Sequence, residues 1–384
     1  VWFVSVVLHF VTAWLLMVVT NWVSLSAWRH AVTAHWTERA RLLWPVRITA
    51  GLNVFVFVFL SNQVHWLISP NTMQWYVSDG LGSLAGAILG CYPLNRVIFP
   101  QLTLRDWWKQ IALLWGIRFS IWIVLFSAVF LMPEKFDWKM LLVTGCYLAF
   151  HFALLWGLLL KLLRLLKFVT PAGPRLQQIV APLAGRMNVK VRGTWQVGGL
   201  IANALAIPTT RELVFTNRLL EICTDEEVAS ICVHELAHLT ESKMVLAGRI
   251  LTSSAFFPFI FFTPLMHQFS WFGLAIPYLW MFLTIMLARR LSRRMEKRAD
   301  QMAANEQTNT RVYAGALEKL YRENQSPAVM PGNRQAHPHL YDRMLSAGIT
   351  PDFPRPPRAK RLTFLGWCYL LLSGFIIGLD VIYS

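Results

Sequence analysis

Eight apolar runs of about 20 residues constrain this chain more than any other feature; they fall at about 1–25, 48–68, 79–99, 111–132, 140–163, 250–268, 272–291 and 363–382. A helix of about 20 residues matches the hydrocarbon thickness of a bilayer. Composition agrees: 55% of residues are hydrophobic, with 18 Trp and 25 Phe. Only 15% are charged, against about 25% in soluble domains. The expected architecture is a mainly α, polytopic membrane protein with about eight transmembrane helices.

The charges between the runs set an orientation. Arg29, Arg39, Arg41 and Arg47 follow the first run; Arg96, Arg105 and Lys109 follow the third; Lys161, Arg164 and Lys167 follow the fifth. The connections at 69–77 and 267–272 carry no Lys or Arg, and that at 133–139 balances two acids with two lysines. By the positive-inside rule, the N-terminus lies outside and both long polar segments lie in the cytoplasm, with a plasma (bacterial inner) membrane as the expected location. This patterning accounts for the net charge of +16. Nucleic-acid binding is not expected, because no stacking platform or base-reading motif accompanies the charge. Five cysteines without a CxxC pair point to a reducing compartment. Residues 1–25 lack a basic leader and a small-residue cleavage site, and so read as a spanning helix and not as a secretory signal.

The chain divides accordingly. Residues 1–163 form an N-terminal bundle of five spans, 164–249 a polar segment, 250–291 a two-span hairpin, 292–362 a second polar segment and 363–384 a final span. The first polar segment reads as a small α+β module. Strands are expected at 189–191, 200–207 and 213–216, with a turn at Pro208-Thr209-Thr210. Thr224-Asp225-Glu226-Glu227 is a capping box, so a helix starts there.

That helix carries His234-Glu235-Leu236-Ala237-His238. Positions i and i+4 share a helix face, so two imidazoles can hold one Zn²⁺ with Glu235 beside its water. Cys232 points off that face. A third ligand is required. The class that uses a third His is excluded, because position 244 is Met244 and position 241 is Glu241 in place of Gly. Glu296 is the best distant carboxylate; an ion pair with Arg293 explains it as well. Asp300, one turn on, either accepts from a ligating imidazole or pairs with Lys297 or Arg298.

His234-Glu-Leu-Ala-His238, two apolar runs, then Glu296-Lys-Arg-Ala-Asp300 resembles the HtpX and CAAX prenyl-protease family of membrane zinc peptidases. Asn203-Ala204 is similar to the family's edge strand, and His337-Pro338 ahead of Arg343 to its downstream His-Pro…Arg element. The resemblance covers about 165–345. It implies a zincin-like module on the cytoplasmic side, one Zn²⁺ per chain and Glu296 as third ligand. It further implies substrate backbone held at Asn203 and Ala204. Glu235 is the expected general base. His337, Arg343 and then Tyr341 are the expected oxyanion donors, and Asp300 the partner of a ligand histidine. Five runs before the protease segment and one after it depart from the HtpX pattern. Expected partners are a protein or peptide substrate and the lipid bilayer. A membrane signal transducer or a non-catalytic scaffold is the alternative. Arg118 and His151, inside apolar runs, are left outside the site.

Overall fold

The computed structural model describes residues 2–68, 73–135, 137–306, 310–332 and 339–383. The first eight helices are α1 (Trp2–Ser24), α2 (Ser26–His30), α3 (Trp36–Ile68), α4 (Met73–Gly90), α5 (Tyr92–Ile98), α6 (Leu104–Leu131), α7 (Trp138–Leu155) and α8 (Leu158–Leu165). Then come β1 (Val169–Pro171), α9 (Pro174–Arg186), β2 (Gly193–Val197), β3 (Ala204–Ile207) and β4 (Glu212–Thr216). The remaining helices are α10 (Asn217–Ile222), α11 (Asp225–Leu239), α12 (Lys243–Ser253), α13 (Phe262–Phe269), α14 (Ala275–Asn305), α15 (Thr310–Glu323), α16 (Leu340–Ser346) and α17 (Phe364–Tyr383).

Among the described residues, five stretches are long and apolar enough to cross a bilayer: Phe3–Ser24, Trp36–Ser61, Ser78–Ile98, Trp138–Leu155 and Lys243–Asn305. Ser120–Leu131 and Phe364–Gly378 are apolar but shorter. The run expected at 250–268 is not one helix: α12 ends at Ser253, a 3₁₀ turn covers Phe257–Phe261, and α13 ends at Phe269. Pro258 and Pro264 account for this, since each lacks the N–H an α-helix needs. The eight residues of α13 span about 12 Å, well short of a bilayer core. The fifth run is also interrupted, at Gly157, whose φ of +82° divides α7 from α8. That conformation favours glycine.

The chain forms two compact units. One comprises Val1–Trp107, Tyr321–Gly332 and Phe353–Ser384; the other comprises Trp108–Leu320 and Asn333–Asp352. In the first, α1 lies against α4 along Gly82, Gly86 and Gly90, a small-residue stripe of one face. A Cβ at Gly82 would stand 2.7 Å from the Val6 carbonyl oxygen, one at Gly90 2.7 Å from Met17 Cβ, and one at Gly86 against the Phe10 carbonyl. Gly86→Leu is therefore expected to force α1 and α4 apart at a cost of about 1–3 kcal/mol. A lower denaturation midpoint in detergent checks this; an unchanged midpoint would argue against the close contact. Two polar contacts also join helices here: Ser5 Oγ donates to the buried Asp79 carboxylate at 2.9 Å, and Ser83 Oγ to Ser61 Oγ at 2.7 Å.

The second unit holds a sheet of order β1-β2-β4-β3. β2 and β4 run parallel, and β1 and β3 are antiparallel edges. The strand expected at 189–191 lies instead at Gly193–Val197, because the ladder with β4 starts with Gly193 opposite Glu212. Residues 200–203 precede β3 as irregular chain, and the turn at 208–211 stands as expected. β1 and α9 were not expected. His151 donates from Nε2 to Ser253 Oγ at 3.0 Å, while Ser253 Oγ donates to the Ile250 carbonyl, so His151 is a paired residue of the helix packing. The Arg118 side chain lies outside the described residues.

Candidate metal centre

Thr224 caps α11: its side chain accepts from Glu227 N, and Glu227 Oε2 accepts from Thr224 N at 2.8 Å. Lys319 of α15 closes a 2.7 Å ion pair on the same Glu227. From Val228 onward nearly every residue of α11 is buried, so packing holds the helix on all sides. It packs on α9, on β3 and on α14. α14 continues without a break from its apolar half into a polar half, and Glu296 lies buried there among Met295 and Ala299.

His234, His238 and Glu296 offer ligand atoms that all lie within 4.8 Å of one another. His234 Nε2 is 3.4 Å from Glu296 Oε2, and His238 Nε2 is 3.6 Å from Glu296 Oε1. Around a tetrahedral Zn²⁺ with bonds of about 2.0–2.1 Å, neighbouring ligand atoms stand about 3.3 Å apart. Two imidazole nitrogens and one carboxylate at this spacing fit that ion, with a fourth position open. The alternative ion pair of Glu296 with Arg293 is not formed: Glu296 faces the histidines, and Arg293 is exposed.

Each imidazole is held from behind. The Asp300 Oδ1 atom lies 3.1 Å from His234 Nδ1, as expected for an orienting carboxylate. Tyr313, which sequence reasoning missed, joins it: its hydroxyl donates to Asp300 Oδ1 at 2.7 Å and stands 2.8 Å from His234 Nδ1. The hydroxyl proton is spent on Asp300, so Nδ1 carries its own proton and Nε2 is the nitrogen aimed at the centre. Burial pushes the Tyr313 hydroxyl well above the ordinary tyrosine range, which keeps it a donor. Burial alone would lower His234. Hydrogen bonds to Asp300 and Glu296 and the charge of Glu235 outweigh it against Arg343, and raise His234 to about 9. A metal ion must displace that proton to bind.

Arg343 was expected to face an oxyanion. Arg343 lines the cleft, and its guanidinium is also bound to its neighbours: Nε and Nη2 donate to Asp300 at 2.9 and 2.7 Å, and Nη2 to Tyr313 Oη at 2.9 Å. It holds Asp300 in place, and that pairing also displaces the alternative of Asp300 with Lys297 or Arg298. Tyr341 is not among the residues that line the cleft. His337 lies outside the described residues.

Behind His238 stands Glu241, at 3.0 Å from Nδ1 and itself bound by Arg249 Nη2 at 2.7 Å. The residue that argued against a three-histidine site thus orients the second histidine. Glu241→Ala is expected to weaken metal binding about 10–100-fold, the usual effect of losing such a partner. Competition with a chelator measures this; an unchanged affinity would show that Glu241 does not matter to His238.

Glu235 is not among the converging ligands. Its Oε2 accepts from Ala206 N at 2.7 Å. That bond shows that Ala206 turns its N–H away from β4 and into a cleft of about 260 Å³ that also holds the metal centre. Alternation along a strand turns the Ala204 backbone the same way. Asn203 O accepts from Thr216 N, and Asn203 N donates to Thr216 Oγ1, which ties the start of β3 down and leaves Asn203 exposed on the cleft. The expected edge at Asn203 and Ala204 therefore borders the centre.

Residues 172–347, from just after β1 to the end of α16, match the model of peptidase family M48. This segment belongs to family M48. The family includes HtpX and the CAAX prenyl proteases and consists of zinc metallopeptidases. Every ligand and orienting residue described above falls inside the M48 segment. No curated protein matched the chain.

Proposed function

We propose that this protein is an integral-membrane zinc endopeptidase whose active site faces the cytoplasm and acts on membrane or membrane-associated proteins. The observation that carries the reading is the convergence of His234 Nε2, His238 Nε2 and the Glu296 carboxylate at tetrahedral spacing, with Glu235 beside them and not among the ligands. Zinc, when bound there, supplies a Lewis acid and lowers the pKa of a water toward about 7.

The chain's own groups do the rest. Glu235 takes a proton onto its carboxylate and returns it to the leaving amine. The Ala206 N–H holds that carboxylate at the cleft wall. A substrate segment adds as a strand to the free edge of β3 at Ala204, with Asn203 at its end. Asp300, Tyr313 and Arg343 fix His234, and Glu241 with Arg249 fixes His238. His337 and Arg343 of the His-Pro…Arg element are the candidate oxyanion donors, ahead of Tyr341. The apolar stretches and the charge alternation between them support placement in a membrane with the M48 segment on the cytoplasmic side.

Purified protein in lipid nanodiscs, given an unfolded membrane-protein substrate, tests this. Cleavage should stop on chelation and return with zinc. Cleavage indifferent to chelator would contradict the proposal.

A further inference from the structure

We propose that the outer face of α14, beyond its apolar half, is a strip that binds anionic phospholipid headgroups, and that its occupancy steadies the helix delivering Glu296. The proposal rests on the membrane zinc-peptidase reading above.

Ile276, Leu279, Leu283 and Met286 are 53–59% exposed. Arg290, Arg293 and Lys297 are exposed further along the same helix. The steps between these positions alternate three and four residues, so all seven lie on one face. That face is apolar for about 15 Å and then basic for about 10 Å, at 1.5 Å per residue. Arg289 and Arg294 flank the basic part and are exposed as well. Arg298 is engaged, with Nη2 on Thr240 Oγ1 at 2.7 Å. Among the described residues, no acid pairs with the other five cations. The acids of this half of α14 are used elsewhere, Glu296 at the metal centre and Asp300 on Arg343.

An apolar stripe this exposed fits lipid tails. One helical turn separates Met286 from Arg290, which places the guanidinium groups at headgroup depth. Arginine binds phosphate through two parallel N–H bonds, and clustered basic residues beside an apolar span attract anionic lipid. A nucleic acid would leave the apolar half of the same stripe uncovered.

The buried side of the same helix gives the strip its consequence. Met295 and Glu296 are buried within the same two turns as Arg293, Arg294 and Lys297. A tilt or rotation of α14 therefore changes the spacing between Glu296 and the two histidines. Anchoring the basic face to lipid phosphates restricts that motion.

The test uses the full chain in nanodiscs of phosphatidylcholine alone or with phosphatidylglycerol. The wild type is compared with a variant carrying Arg290→Gln, Arg293→Gln, Arg294→Gln and Lys297→Gln. Zinc retention against a chelator should rise severalfold for the wild type in the anionic lipid. The variant should match the wild type in phosphatidylcholine and gain nothing from phosphatidylglycerol. Equal wild-type retention in the two lipids overturns the proposal, as does an equal gain in the variant. Inorganic phosphate reproducing the gain in phosphatidylcholine overturns its assignment to lipid. Native mass spectrometry of retained phosphatidylglycerol reads the strip independently of zinc. Protein that holds phosphatidylglycerol through these four residues, yet binds no zinc in either lipid, would contradict the peptidase reading and leave the lipid strip standing.

Discussion

Glu235→Gln is expected to cut the rate of peptide cleavage by about 10²–10⁴-fold, the usual contribution of a general base, with zinc content unchanged. Glutamine keeps the shape of the side chain and can still accept from Ala206 N, so the 2.7 Å contact that positions the group survives. It cannot take up a proton at neutral pH. Glu235 also lies outside the ligand set of His234, His238 and Glu296, so the centre keeps its donors. Steady-state cleavage measured beside metal analysis on the same sample decides the matter. Loss of zinc together with activity would make Glu235 a structural part of the centre; retained activity would remove it from the chemistry.

Arg343→Ala should have the largest effect on stability. Arg343 and Asp300 are 7% and 15% exposed, and three hydrogen bonds from the guanidinium end on Asp300 and Tyr313. Truncation leaves the Asp300 carboxylate buried without one of its two counter-charges, His234 being the other, a change that costs up to about 3–5 kcal/mol. The loss should appear as a lower denaturation midpoint of the metal-free protein, with weaker zinc binding as His234 loses its fixed partner. Arg343→Lys should recover only part of it, because a single ammonium cannot reproduce two parallel bonds. Adding Asp300→Asn to Arg343→Ala should recover some stability, since the amide needs no counter-charge. A truncated protein as stable as the wild type would show that the network carries no energy.

The parts of the site legible in the sequence are those set by spacing along a helix. His234 and His238 one turn apart, the capping box that starts α11, and Glu296 with Asp300 one turn apart all follow from the period of 3.6 residues. Tyr313 and Glu241 were not legible as orienting groups. Tyr313 reaches His234 only because α15 folds back beside α11 and α14. Glu241 reaches His238 from beyond the end of α11, where helix periodicity no longer guides. Arg343 was singled out by its motif, but its partner was not, because the pairing with Asp300 joins two distant helices.

The fold shows the same division. Apolar length marked α1, α3, α6, α14 and α17, yet it says nothing of helix continuity, and the proline-bearing run at 250–268 broke into short pieces. Alternating β-branched residues suggested a strand at 189–191, but register comes from the partner strand, and the ladder begins at Gly193. The three residues of β1 are a strand only through their pairing with β2.

The central claim is that His234, His238 and Glu296 hold one zinc ion. Metal analysis by plasma mass spectrometry on protein purified in lipid tests it most directly. The account predicts one zinc per chain in the wild type and essentially none after Glu296→Ala. A wild type without zinc, or a Glu296→Ala protein that keeps a full complement, would contradict it.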